Sequence, residues 1–124
     1  MNIPVPVLNL AKRKLRENKC PFKHISVITH KGIILCYGMN SVKTHPSANG
    51  QYRATHSELS AILKMKKTNI DLSKTILYNV RIGSSGILLS RPCQFCAKLI
   101  YAANFKKVYY SNNFGLLEEF VYKN

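Results

Sequence analysis

The chain has 124 residues, 46% of them apolar, and nineteen lysines and arginines against five acids give a formal net charge of +14. That length fits one domain over residues 1–124, which buries roughly two-thirds of the surface its unfolded form would expose and builds a core without disulfides. The composition excludes a disordered chain, and no apolar run approaches the ~20 residues that span a bilayer. Near the N-terminus the basic residues follow the apolar ones, the reverse of a secretory signal, so the expectation is an intracellular, cytoplasmic protein with no membrane partner. Fourteen of the nineteen basic residues are lysine, yet a drift in codon usage would raise glutamate too, so the charge favours a polyanionic partner.

Residues 5 to 17 carry Val7, Leu8, Ala11 and Leu15 at helical spacing, with Lys12, Arg13, Lys14 and Arg16 mostly elsewhere on the wheel. "HISVITH" and "IILCYGMN" are two β-rich runs joined by Lys31-Gly32, which predicts an antiparallel hairpin. Residues 41 to 54 hold Pro, Ser, Asn and Gly without a period and form a loop. A helix follows from about Thr55 to Lys67, burying Leu59, Ile62 and Leu63. "TILYNVRI" is a third strand, "GSSG" a turn, and "ILLS" leads into a short helix opened by Pro92. "KKVYYSN" is a fourth strand, and "GLLEEFVYK" closes the chain as helix or strand. The later strand–helix–strand portion implies parallel pairing with a right-handed crossover, hence a three-layer α/β fold around a mixed sheet.

Two unusual helix starts carry the chemistry. "THSELSAI" sets His56 and Glu58 two apart where an apolar helical run begins, and "PCQFC" sets Cys93 and Cys96 at the start of the next helix. For the first, a capping box from Thr55 to Glu58 competes with a metal site. For the second, free N–H groups and the helix dipole favour thiolate over thiol. Two thiolates and one imidazole make three zinc ligands and leave a fourth tetrahedral position open for water, with Glu58 near enough to carry its proton. The alternatives are half of a structural zinc site completed by Cys20 and Cys36, and a redox dithiol. The first has no knuckle-like spacing, and the second leaves His56 unexplained. Cys36, inside a strand-like run, reads as a small apolar side chain.

"HSE" followed by "PCQFC" resembles the H-x-E … P-C-x-x-C signature of the zinc-dependent cytidine and deoxycytidylate deaminase superfamily, and the order of elements is similar over nearly the whole length. The resemblance implies a three-layer α/β/α cytidine deaminase-like fold and one zinc ion per chain on His56, Cys93 and Cys96. It also implies that Glu58 moves protons while water attacks C4 of cytosine, giving uracil and ammonia. By the same analogy Asn40, at the end of the second strand, contacts sugar or base, and the backbone at Ser57 and around Ser90 lines the pocket. Ser57 stands where many relatives carry alanine, and Arg91 directly precedes the Pro-Cys; both touch the pocket wall.

Histidine as first ligand resembles the deoxycytidylate, TadA and APOBEC branches more than the small cytidine deaminases. Lysine clusters at 12–19, 64–67 and 106–107, with Arg91, offer phosphate contacts, while Tyr52, Tyr109 and Tyr110 could stack a base. The first expectation is therefore a cytosine-containing single-stranded DNA or RNA substrate, read in part by Tyr110 in the loop Tyr110-Ser111-Asn112. Alternation in "KVYYS" sends one tyrosine into the core, and Tyr109 is the one expected there. The second expectation is a free nucleotide such as dCMP, its phosphate held by Lys43 or Arg53 and the pocket completed in a homo-oligomer. A third is a nucleic-acid-binding protein with zinc as a staple, although a structural site has no use for Glu58. His24 and His30 read as strand-edge residues, and His45 as a solvated loop residue.

Overall fold

The computed structural model describes residues 1–16, 23–40, 56–83 and 86–122. Helix α1 (Val5–Leu15) is followed by strands β1 (Lys23–His30) and β2 (Ile33–Met39), then by helix α2 (Ser57–Met65). Strands β3 (Ile76–Gly83) and β4 (Gly86–Leu88) precede helix α3 (Gln94–Ala103), and β5 (Lys107–Ser111) and β6 (Leu117–Glu119) complete the described elements. The sheet runs β2-β1-β3-β5-β6, with β4 paired to β3 beside that path. β3 and β5 pair in parallel, and the other paired strands are antiparallel. This is the mixed-sheet α/β architecture expected.

The hairpin between β1 and β2 turns through Lys31 at φ 52° and Gly32 at φ 80°. Two successive positive φ values match the right-handed twist of the strands they join. Alternation then divides the side chains between two layers. On one face Ile25, Val27, Tyr78 and Val80 pack against Val7, Leu10, Ala11 and Leu15 of α1. On the other, Ile28, Leu77 and Val108 pack against Ala61, Ile62 and Met65 of α2 and Ile100 of α3. Each fully buried aliphatic side chain contributes roughly 1.5–3 kcal/mol relative to exposure. In α2 the buried stripe ends on Met65, and Leu63 is only half-buried, because the helix docks through the side that carries Ala61.

Helix α2 lies directly on the backbone of β2. A Cβ placed on Gly38 would sit 2.4 Å from the Ala61 nitrogen and 2.6 Å from the Ser57 oxygen, so only glycine permits this approach. The first turn of α2, where Ser57 and Glu58 sit, is thereby fixed against the sheet.

Some details differ from the sequence-based expectation or decide between its alternatives. Residues 86–88 form β4 on the outer part of β3, and α3 opens at Gln94 with Cys93 as its N-cap, so Pro92 precedes the cap instead of occupying the first helical position. Of the two forms open to the segment after Gly115, helix or strand, the structure takes the strand, paired with β5. The N-cap of α2 is His56, which removes the capping box based on Thr55; Thr55 itself lies outside the described residues.

Candidate active site and metal centre

The antiparallel pairing of β1 with β2 and β3 and the parallel pairing of β3 with β5 place the carboxyl ends of β2, β3 and β5 and the start of β1 at one end of the sheet. The first turns of α2 and α3 point to the same end. His56, as N-cap of α2, has extended backbone (φ −80°, ψ 150°), and Cys93 holds the same position in α3. The imidazole Nδ1 of His56 lies 3.6 Å from Cys93 Sγ and 3.4 Å from Cys96 Sγ. An ion at about 2.3 Å from sulfur and about 2.0 Å from nitrogen needs those donors roughly 3.5 Å apart in a tetrahedron, so the three residues fit zinc. All three donor atoms lie within 4.8 Å of one another.

The electrostatics agree with a thiolate-bearing site. Cys96 hydrogen-bonds Cys93 and, with help from His56, holds the Cys93 thiol down at about 4. The Cys96 N–H donates to Cys93 Sγ, which is the helix N-terminus acting on the sulfur. Cys96, hydrogen-bonded to Cys93, buried and near Glu58, holds its proton above the usual thiol range. The hydrogen bond with Cys93 raises the His56 imidazole.

Glu58 is buried in the first turn of α2, and burial raises its carboxyl above the usual range, against hydrogen bonds from Asn79 and Ser57. Asn79 Nδ2 donates to Oε2 at 2.9 Å, and Ser57 Oγ donates to Oε1 at 3.0 Å. Behind them Ser26 Oγ contacts both Ser57 Oγ, at 2.8 Å, and Asn79 Oδ1. Ser26 and Asn79 were not among the residues singled out from the sequence. The available signal was a polar residue within each of two apolar strand runs, and the register Ser26↔Asn79 puts the two side by side.

The remaining expected pocket residues divide. The Ser57 N–H lies in a helical first turn that leaves it without an intrahelical acceptor, while its hydroxyl goes to Ser26 and Glu58. Asn40 joins the ends of β1 and β2: its Oδ1 accepts from the His24 N–H at 3.0 Å and its own N–H donates to the His24 carbonyl. Ser90 is buried in a clasp, its N–H on the Ser111 carbonyl and its hydroxyl on the Asn79 carbonyl at 2.7 Å, so it aims the segment that carries Cys93. Arg91 is exposed, its guanidinium 6.0 Å from the centre of the Phe120 ring.

Tyr110 corrects an expectation. It lies within β5, not in the following loop, and is only 8% exposed, edge-on to Phe120. Tyr109 is half-buried and stacked on Tyr78, with centroids 5.6 Å apart. The register Asn79↔Tyr110 places Tyr110 on the face covered by α2 and α3, and the core position falls to it. His24 is not a plain strand-edge residue either: burial, Arg81 and His56 together push its imidazole down to about 4. Of the basic clusters, Lys14 and Lys64 converge on the Tyr37 ring, 5.6 and 4.8 Å from its centre, and Lys107 pairs with Glu119. Cys20, Lys43, His45, Tyr52 and Arg53 lie outside the described residues. Among the described residues no helix is long and apolar enough to cross a membrane.

Solved structures with the same architecture include a dCMP deaminase from the cyanophage S-TIM5 in apo form. It is 27% identical over 86% of this chain and 79% of that one, with a TM-score of 0.62. The same phage enzyme in complex with dCMP and dUMP aligns at 24% identity over 87% of this chain and 79% of that one, with a TM-score of 0.63. A cytidine deaminase from Burkholderia pseudomallei shares the fold at 14% identity, covering 93% and 89% of the two chains with a TM-score of 0.66. No curated protein matches the chain significantly. Residues 6–112 match the family described as the cytidine and deoxycytidylate deaminase zinc-binding region, a span that takes in both halves of the metal centre. The chain therefore belongs to that family of zinc-dependent hydrolytic deaminases.

Proposed function

We propose that the protein deaminates the cytosine of a free nucleotide, with dCMP as the substrate of first choice, releasing ammonia and leaving uracil. The observation that carries this reading is the convergence of His56, Cys93 and Cys96 beside the buried carboxylate of Glu58, in a chain 27% identical to a phage dCMP deaminase. Burial of Tyr110 weighs against the single-stranded alternative, because it withdraws a ring that reading needed as a stacking platform. The lysines at Tyr37 keep a polynucleotide in the test as the competing substrate.

Zinc held by the three donors supplies a Lewis acid that brings the pKa of a water towards neutrality. The protein supplies the proton traffic. Glu58 takes one proton from the attacking water and passes it to the ring nitrogen, then takes the second from the new C4 hydroxyl and delivers it to the amine, which leaves C4 as ammonia. A carboxyl raised by burial suits the uptake of a proton, since it is a stronger base than an ordinary carboxylate. The family resemblance assigns the backbone amide of Ser57, at the positive end of α2, to the pocket wall, where a free N–H suits a polar atom of the base.

The test offers dCMP, deoxycytidine, cytidine and a cytosine-containing DNA oligonucleotide to the purified protein, with uracil read by mass spectrometry and Glu58→Gln as the blank. Conversion of dCMP is expected, with Glu58→Gln lowering kcat by about 10³-fold or more while zinc stays at one ion per chain. Conversion of the oligonucleotide alone would overturn the substrate, and full turnover by Glu58→Gln would overturn the proton carrier.

A further inference from the structure

The ring formed by Ser26, Ser57, Asn79 and Glu58 lies where the sheet would otherwise be apolar. Ile28 and Leu77, next on the same face of β1 and β3, are fully buried core residues, while Ser26 is 0% and Asn79 2% exposed. Polar groups in such positions carry a desolvation cost and specify a unique arrangement only when every partner is in place. Here each has one: among the described residues no buried side-chain nitrogen or oxygen lacks a hydrogen bond.

Hydrogen-bond direction assigns the roles. A carboxylate only accepts, so the Asn79 amide must present its NH2 to Glu58 and its oxygen to Ser26. The carboxylate thereby selects the amide orientation, and Ser26, which has a hydroxyl hydrogen to give, holds the oxygen that this orientation presents. Ser57 also binds the carboxylate, but it is the adjacent residue and moves with α2. Asn79 belongs to β3, bonded on both sides by β1 and β5. The Asn79 carbonyl accepts from the Ser90 hydroxyl, three residues ahead of Cys93. One residue thus holds the carboxylate with its side chain and the cysteine-bearing segment with its main chain.

We propose that Asn79, held by Ser26, is a positioning residue that sets the carboxylate of Glu58 in fixed relation to the metal donors. The inference rests on the reading of Glu58 as the proton carrier. A carboxylate released from Asn79 can still enter the site, but it must find the reacting proton from several rotamers, and loss of alignment lowers the rate without changing how substrate binds.

The test compares Asn79→Ala, the isosteric Asn79→Asp and Ser26→Ala in the zinc-loaded full chain. Three quantities are read: kcat and KM for dCMP, bound zinc, and affinity for two ligands. One ligand is the 4-hydroxy-tetrahydropyrimidine analogue of dCMP, a mimic of the water adduct, and the other is the product dUMP. The two Asn79 variants are expected to lose about 30- to 100-fold in kcat with KM within about threefold and zinc unchanged. Analogue affinity should fall in step with kcat while dUMP affinity holds, and Ser26→Ala should lie between wild type and Asn79→Ala. A merely structural role would move stability and both ligands together. Wild-type kcat in both Asn79 variants overturns the inference, as does a loss that follows zinc content. If Glu58→Gln retains full turnover the function reading fails as well, whereas inactive Glu58→Gln beside normal Asn79 variants sinks only the positioning role.

Discussion

Glu58 and His24 share one physical circumstance with opposite results: withdrawal from water raises the carboxyl and lowers the imidazole. His24 lies two residue pairs beyond Ser26 and Asn79, opposite Arg81, with His56 adding to its positive surroundings. With a folded pKa of about 4 against an ordinary 6.5, the unfolded chain binds the extra proton across that interval. Stability from a neutral His24 is therefore complete above pH 6.5 and drains away as pH falls towards 4, by at most about 3 kcal/mol. His24→Gln should flatten that part of the urea-derived stability profile between pH 7 and 4. An unchanged slope would show that His24 is not the group responsible. The residues around it also show what a sequence can carry. His56, Glu58, Cys93 and Cys96 are legible because their spacing on two helix starts has few other uses. Ser26 and Asn79 are ordinary strand residues until the register sets them side by side.

At the scale of elements, α2 owes its position to a missing side chain. Gly38→Ala puts a methyl against the Ala61 nitrogen, the Ser57 oxygen and the Ser60 Cβ, the last at 2.8 Å. Backbone cannot step aside as a flexible side chain can, so the helix must lift. The expected cost is about 1–3 kcal/mol in urea unfolding, with kcat falling because Glu58 rides on the displaced turn. Retention of wild-type kcat in a folded, zinc-loaded variant would show that the first turn is held by other contacts. Hairpin, helices and the parallel strand were readable from periodicity and turn residues. β4 was not, and the segment of β6 stayed open between helix and strand, because three positions carry no period and such strands depend on the neighbouring one. The exchange of Tyr109 for Tyr110 has a similar origin: alternation says that two adjacent residues face opposite ways, but not which layer each way leads to.

For the molecule as a whole, the charge of +14 and the metal act over different ranges. Exposed lysines are screened within about 10 Å at 0.1 M salt, so any attraction to polyanions should fade steeply with salt while turnover of a small nucleotide changes little. The metal acts locally, yet its stabilisation is global. At free zinc a thousand times its Kd, the ion adds about 4 kcal/mol to the folded state, and chelation should lower Tm accordingly. A chelated protein with unchanged Tm would mean that no zinc had been bound in the native state.

The donors of the metal centre are also far apart along the chain: His56 precedes Cys93 by 37 residues and Cys96 by 40, with the whole of β3 between them. No local stretch can assemble the tetrahedron, so metal capture is a clock for long-range closure. With cobalt(II) in place of zinc, visible absorption should rise during refolding only when α3 docks across β3 beside α2, later than the far-ultraviolet signal of the helices themselves. The colour would time the slowest topological step of this fold, the crossover, without any probe attached to the protein.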